Sequence, residues 1–191
     1  MNEKILKLIE GMYEEGDFKY HISAVVKNAM LLADRLGADK DVVEMAAYLH
    51  DMARSLDRED LNEFVKKNEH HILGAEQSRE FLKDLGYDDE FIEKVVYCIL
   101  THRGRAKPDP ETLEAEIIAC ADAMAHFDTF LDLFPLFIKT NNGSFEKAVI
   151  EIEKKMERNW ERKLTLPEAK EIVKDKHEAI TILIKSMKEY I

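Results

Sequence analysis

Apolar residues recur every three or four positions along nearly the whole chain, and no long stretch alternates with a period of two. Ile22, Val25 and Leu32 mark one such face before Gly37. This spacing is typical of amphipathic helices, and only four prolines interrupt it, so we predict an all-α protein. The predicted helices cover about residues 3–14, 21–36, 41–51, 59–67, 70–85, 89–102, 111–127, 144–161 and 167–190, and Pro135 interrupts an apolar segment at about 130–137.

The chain shows no internal repeat, low-complexity segment or flexible linker. The turn at 141–144, with the sequence Asn-Asn-Gly-Ser, is the one candidate seam. We therefore expect a single domain over residues 1–191, with a core at about 15–135 and a two-helix C-terminal extension at about 142–191. The extension is expected to pack on the core, as a dimer surface or as a lid over a pocket.

The charge of the chain narrows its expected partners. Lysines and arginines number 28 against 39 aspartates and glutamates, a net charge of −11, and an acidic chain is poorly suited to neutralise the phosphates of duplex nucleic acid. A small phosphorylated partner stays open because a bound metal supplies local positive charge. Homodimerisation is allowed but not required.

The two cysteines and the charged N-terminus indicate the cellular compartment in which the protein is expected. Cys98 and Cys120 sit in apolar helical stretches and are predicted to be buried free thiols in a reducing compartment. The sequence begins without an apolar signal-peptide core, and no apolar run has the length of a membrane span. A cytoplasmic protein with no membrane association is expected.

The stretch that ends in His50 and Asp51 carries the strongest chemical signal. We predict a helix capped by Asp41, whose apolar face, Val42 and Ala46 among others, carries the two side chains toward the interior. A buried aspartate is costly unless it is hydrogen-bonded, paired with a cation or bound to a metal. Histidine and aspartate together offer the nitrogen and oxygen ligands that a transition-metal ion accepts.

Further candidates lie on other predicted helices. Asp122 is the single charged residue in the apolar run 117–125, so it needs a partner, and a metal or a buried histidine is the simplest one. His21 opens a helix beside its apolar face, and His102 ends another.

The sequence around four other histidines gives weaker evidence of a role in a site. His70 and His71 open one helix and point about 100° apart, so only one of them is expected to face a site. His126 is predicted to be a satisfied structural side chain and His177 to face solvent.

The order His21, then His50-Asp51, then Asp122, all on helices, resembles the HD-domain metal-dependent phosphohydrolase superfamily over about residues 15–130. Agreeing details are Arg54, a basic residue at the third position after Asp51, and the alanine-rich helix around Asp122.

The resemblance implies that His21, His50, Asp51 and Asp122 hold a divalent metal ion: Mn, Fe, Mg, Ni, Co or Zn. If His102 and either His70 or His71 also bind, Asp51 would bridge two ions, as in the six-ligand, di-metal branch that includes symmetrical diadenosine tetraphosphate hydrolases. Otherwise His70 or His102 would serve as an acid or as a phosphate ligand.

The arginines are candidate substrate contacts. Arg54 follows Asp51 by about one helical turn and is expected to meet a phosphate. Arg103 and Arg105 lie in a basic loop and are either phosphate or nucleotide contacts or part of a solvated turn.

The expected reaction is therefore metal-assisted attack of water on a phosphoester or phosphoanhydride of a small phosphorylated compound, with a nucleotide favoured. The alternatives are a di-metal dinucleoside polyphosphate hydrolase, a mononuclear 5′-nucleotidase or triphosphohydrolase, a di-iron HD oxygenase and a non-catalytic nucleotide-binding module.

Overall fold

The computed structural model describes residues 2–55, 70–103 and 109–191, and every regular element in these ranges is helical. The all-α prediction is thus confirmed, and the helix predicted at 59–67 lies outside the described residues. The helices are α1 (Glu3–Glu10), α2 (Ser23–Leu36), α3 (Lys40–Leu49), α4 (His70–Asp84), α5 (Asp89–Thr101), α6 (Leu113–Asp128), α7 (Phe130–Thr140), α8 (Phe145–Arg158) and α9 (Pro167–Lys188). Two π-helical segments, Asp17–Ile22 and Asn159–Lys163, and a 3₁₀ turn, Met52–Ser55, complete the set.

Several predicted boundaries were wrong. Helix α1 ends at Glu10 and not near residue 14. Asp39, not Asp41, caps α3, and its carboxylate accepts hydrogen bonds from the backbone N–H groups of Asp41 and Val42. The N-cap residue precedes the helix in extended conformation, whereas Asp41 already lies inside it. Helix α6 begins at Leu113, two residues later than predicted.

Helix α7 continues through Pro135, where the sequence predicts an interruption. A proline removes the hydrogen bond to the carbonyl group four residues earlier, here that of Leu131. Leu131 is 78% exposed, so this turn of the helix lies at the surface. Water can take the place of the lost N–H, and the helix persists.

Helix α6 forms the centre of the molecule. Every residue from Ile117 to Phe127 is buried, and α2, α3, α5 and α9 all pack against this helix. Alanines at positions 119, 121, 123 and 125 leave it a narrow surface, which lets its neighbours approach closely. Asp122 lies in the middle of this helix and is only 7% exposed.

The C-terminal segments also reach the centre. Helix α9 packs on α6 and α8, and the π-helical segment Asn159–Lys163 contacts α6 directly. The chain therefore returns to the level of Asp122 after leaving the core through α7 and α8. In the described ranges, no helix combines the length and apolar character needed to cross a membrane.

Both cysteines are buried free thiols, as predicted. Burial raises the pKa of Cys98 to about 12. A thiol with so high a pKa stays protonated at neutral pH and is a poor metal ligand or nucleophile, which leaves the chemistry of the interior to the histidines and aspartates.

The central place of α6 can be tested with Ile118→Ala. Ile118 is fully buried on this helix, so the substitution should lower the free energy of unfolding by about 2–5 kcal/mol, measured by urea denaturation. Ile182→Ala is the matched control, because Ile182 is 70% exposed on α9 and its truncation should change stability by less than about 0.5 kcal/mol. Equal losses in the two variants would contradict the placement of α6 at the centre of the core.

Candidate metal centre

The candidate site forms where the ends of several helices meet the middle of α6. His21 lies in the π-helical segment Asp17–Ile22, and His50 and Asp51 directly follow α3. His102 directly follows α5, and Asp122 lies on α6. A π-helical turn is often found at a functional position. The structure thus brings together five of the six residues predicted as metal ligands.

Asp51 is the centre of the cluster and is 5% exposed. Its Oδ2 atom lies 3.7 Å from Nε2 of His21 and 3.7 Å from Nε2 of His50. Its Oδ1 atom lies 3.9 Å from Nε2 of His102. These separations exceed hydrogen-bond distances, but they suit two ligands of one ion, since each metal–ligand bond is about 2.0–2.2 Å long. Asp51 therefore presents one oxygen toward His21 and His50 and the other toward His102.

Two of the histidines are held in the tautomer that suits a metal. Nδ1 of His50 donates to the carbonyl of Ala47 at 2.8 Å, and Nδ1 of His102 donates to the carbonyl of Ile99 at 2.6 Å. A carbonyl group only accepts, so Nδ1 carries a proton in both rings, and in a neutral ring Nε2 then keeps its lone pair. Backbone carbonyls commonly orient metal-binding histidines in this way.

The surroundings of His102 favour the neutral form of its ring. Nε2 of His50 is buried and has no hydrogen-bond partner among the residues that the structure describes. Burial lowers the pKa of His102 to about 3, so its ring is uncharged at neutral pH. A buried nitrogen lone pair that faces a carboxylate without a proton between them fits a divalent cation well.

Asp122 divides its two oxygens between different partners. Oδ1 lies 3.5 Å from Nε2 of His21 and 4.0 Å from Nε2 of His126, and Oδ2 accepts a hydrogen bond from Nζ of Lys163 at 2.8 Å. Burial by itself would raise the pKa of Asp122, but Lys163, His126 and His21 outweigh it and hold that pKa well below its usual range. Asp122 is therefore ionised, with Oδ1 facing the histidines.

Sequence reasoning missed two residues of this cluster. His126 follows Asp122 by four residues on α6, a spacing that places both on one helix face and could have revealed it. Within the described part of the chain its buried Nδ1 atom has no hydrogen-bond partner, so the prediction of a satisfied structural side chain was wrong there. Lys163 is 41 residues from Asp122 in the sequence, and no local sequence pattern predicts their contact.

The prediction for His177 was also wrong. Its ring stacks on Trp160 with centroids 3.9 Å apart and an interplanar angle of 3°. A flat apolar partner covers one face of the imidazole, so the side chain does not simply face solvent.

Several predicted contacts fall outside the described side chains. This applies to His70, Arg54 and Arg105, so the choice between His70 and His71 as a ligand stays a prediction. His71 is buried at the start of α4, and Arg103 is partly exposed after α5. Helix α4 does approach the site, because a Cβ atom on Gly74 would lie 3.6 Å from Ala53.

A cavity of about 240 Å³ opens onto the cluster at His21, Asp51 and His126. Aromatic, acidic and apolar side chains form its remaining wall, among them Tyr13, Asp17, Tyr20, Asp132, Leu133 and Leu136. We call this cavity the metal cleft. A larger depression of about 430 Å³ lies near Asp39 and Tyr97 and contains none of the cluster residues, so the chemistry belongs to the smaller cavity.

A helical bundle that converges histidines and aspartates from separate helices on one cleft defines a metal-binding helical domain of the HD type. The sequence model of the HD domain family matches residues 18–126, more than half of the chain. The chain belongs to this family, and the predicted resemblance to HD-domain phosphohydrolases is confirmed.

Curated relatives are longer proteins. The chain is 29% identical over 148 residues to a tRNA (cytidine(56)-2′-O)-methyltransferase of Picrophilus torridus, covering 70% of this chain and 39% of that protein. It is 34% identical over 105 residues to ribonuclease Y of Streptococcus agalactiae, covering 55% of this chain and 17% of that protein. The chain therefore spans well under half the length of these relatives.

The fold matches solved structures over nearly its whole length. Bacillus subtilis YpgQ in complex with ADP superimposes with a TM-score of 0.73 and 18% identity, over 99% of this chain and 94% of that chain. At this identity the match shows the fold alone, and that match includes the helices after residue 126.

Lys163→Met tests the pairing with Asp122. The substitution removes the ammonium group and leaves a buried carboxylate without its cationic partner, so the free energy of unfolding in the presence of a chelator should fall by about 3–5 kcal/mol. Urea denaturation followed by circular dichroism measures this change.

Lys188→Met is the matched control for that substitution. Lys188 pairs with Glu153 but is 44% exposed, and the loss of such a surface pair should cost less than about 1 kcal/mol. A similarly small loss in both variants would show that Asp122 does not depend on Lys163.

Proposed function

We propose that this protein is a divalent-metal-dependent phosphohydrolase that cleaves a phosphoester or phosphoanhydride bond of a small phosphorylated compound, with a nucleotide as the favoured substrate. The observation that carries the proposal is the position of Asp51. One of its oxygens faces Nε2 of His21 and His50, and the other faces Nε2 of His102.

The donor set indicates which residues would hold metal. His21, His50, Asp51 and Asp122 would hold one ion, and His102 with the second oxygen of Asp51 would contribute to another. A divalent cation bound there supplies Lewis-acid polarisation of a phosphoryl oxygen and a hydroxide nucleophile at neutral pH. Mixed imidazole and carboxylate ligands favour Mn, Fe, Co, Ni or Zn over Mg.

The residues of the chain itself prepare the site. Ala47 and Ile99 fix the rings of His50 and His102 through their carbonyl groups, so no reorientation is needed when the ligands engage. Lys163 keeps Asp122 ionised. Arg54, three residues after Asp51, is proposed to contact the substrate phosphate as a charged, bidentate donor.

The size and lining of the metal cleft support a small substrate. The cleft measures about 240 Å³ and includes Tyr13 and Tyr20, whose rings suit a planar base or a sugar. The net charge of −11 disfavours a long polyanion, because binding one relies on basic side chains. The ADP complex of a protein with the same fold also favours a nucleotide.

Cleavage of an RNA phosphodiester is the second candidate. The 34% identity to ribonuclease Y favours it, and the same metal chemistry would serve both reactions. The acidic character of the chain argues for the nucleotide, so we keep RNA as a competing substrate in the assay.

The activity test uses Asp51→Asn. Wild-type protein reconstituted with Mn²⁺ should hydrolyse at least one member of a panel of ADP, ATP, a nucleoside monophosphate, diadenosine tetraphosphate and a short single-stranded RNA. Asp51→Asn removes the carboxylate shared by the two ion positions and should lower kcat/KM by more than about 100-fold, since even a residue that only orients a ligand costs about 10–100-fold.

Asp175→Asn is the control for this test, because Asp175 is exposed on α9 and lies outside the metal cleft. It should keep the wild-type rate, and both variants should keep the helical circular dichroism. Full activity in Asp51→Asn would refute the site. Exclusive cleavage of RNA would support the site and replace the favoured substrate, and oxygen-dependent turnover without phosphate release would refute hydrolysis.

A further inference from the structure

His126 lies beside Oδ1 of Asp122, the oxygen that faces the proposed metal position. It is not one of the metal ligands proposed above. Its Nε2 atom lies 4.0 Å from Oδ1 of Asp122, and its ring centroid lies 5.4 Å from that of His21. The side chain is 9% exposed and forms part of the wall of the metal cleft. It therefore faces the same space as His21 and Asp51.

His21 links two groups of possible ligands. His21, His50 and Asp51 offer ligand atoms within 4.8 Å of one another, and so do His21, Asp122 and His126. In both groups it is Nε2 of His21 that faces the carboxylates, at 3.7 Å from Asp51 and 3.5 Å from Asp122. Both groups share His21, so an ion bound to its Nε2 atom would lie close to Oδ2 of Asp51 and to Oδ1 of Asp122.

The ion pair between Asp122 and Lys163 determines which oxygen of Asp122 remains available to a metal ion. Lys163 occupies the side of Oδ2 at 2.8 Å, which leaves Oδ1 for the histidines. Two ligands of one ion lie at most about 4.4 Å apart when each bond is about 2.0–2.2 Å long. The 4.0 Å between Oδ1 of Asp122 and Nε2 of His126 falls within that limit.

We propose that His126 is a fifth protein ligand, through Nε2, of the ion that His21, His50, Asp51 and Asp122 would hold. This inference rests on the proposed metal-binding role of that cluster. Five protein donors would leave one position of an octahedral shell, and not two, for water or substrate. Three imidazoles and two carboxylates also favour a transition metal over Mg²⁺.

A packing role explains His126 less well. Nδ1 of this ring is buried and has no hydrogen-bond partner among residues 2–55, 70–103 and 109–191, and an unsatisfied polar atom in the interior costs free energy. An apolar side chain would fill the same space without that cost. The proposed bond between the other nitrogen, Nε2, and the ion would offset that cost.

The test compares His126→Gln with wild type by titration with Co²⁺, whose visible absorption bands respond to the number and type of its ligands. His126→Gln should bind Co²⁺ at least about tenfold more weakly, and the absorption spectrum of the bound ion should change. The matched control is His177→Gln, since His177 stacks on Trp160 and belongs to neither ligand group. It should keep the wild-type affinity and spectrum.

A His126→Gln protein with wild-type Co²⁺ affinity and spectrum would overturn the inference while leaving the rest of the site intact. If the wild-type protein itself failed to bind Co²⁺, both the role of His126 and the proposed function would be refuted. Should His126→Gln fail to fold, nitrogen NMR of wild type decides: Zn²⁺ should shift the Nε2 resonance of His126 and leave that of His177 in place. An unshifted His126 resonance would refute ligation.

Discussion

The structure depends on the burial of two carboxylates in an apolar helical core. Asp51 is 5% exposed and Asp122 is 7% exposed, and an isolated ionised carboxylate at such a depth is strongly destabilising. Each therefore needs a hydrogen-bond donor, a cation or a metal ion as its partner, and the arrangement around them follows from that need. Lys163 supplies a cation to one oxygen of Asp122, while histidine nitrogens face the remaining oxygens at distances that suit a shared ion.

Two of the histidines, His50 and His102, are held in the same way at the end of a helix. Helix α3 ends at Leu49 and α5 ends at Thr101, and in each case the next residue is a histidine whose Nδ1 donates to a carbonyl of the last turn. Carbonyl groups at a helix C-terminus lack an intrahelical donor, so the ring satisfies a group that the helix leaves unpaired. One hydrogen bond thus completes the helix end, fixes the tautomer and aims Nε2 at Asp51.

The features that could be predicted from the sequence are those with a local signal. The helical period gives the all-α fold, and an aspartate inside an alanine-rich apolar run gives Asp122. The signal for His126 was also present, because four residues separate it from Asp122 on one helix. Lys163 and the stacking of His177 on Trp160 depend on how the C-terminal segments return to α6. The position of these segments on α6 depends on packing between distant parts of the chain, so the pattern of residues along the sequence does not predict it.

The most direct test of metal binding at the buried carboxylates is a crystal structure of the protein reconstituted with Mn²⁺, with anomalous differences recorded to locate the ion. We predict an anomalous peak within about 2.0–2.4 Å of Nε2 of His21, Oδ2 of Asp51 and Oδ1 of Asp122. The amine of Lys163 should remain on Oδ2 of Asp122. An anomalous map with no peak in the metal cleft, or with Mn²⁺ bound only to surface carboxylates, would contradict the claim that metal binding is the reason for these buried charges.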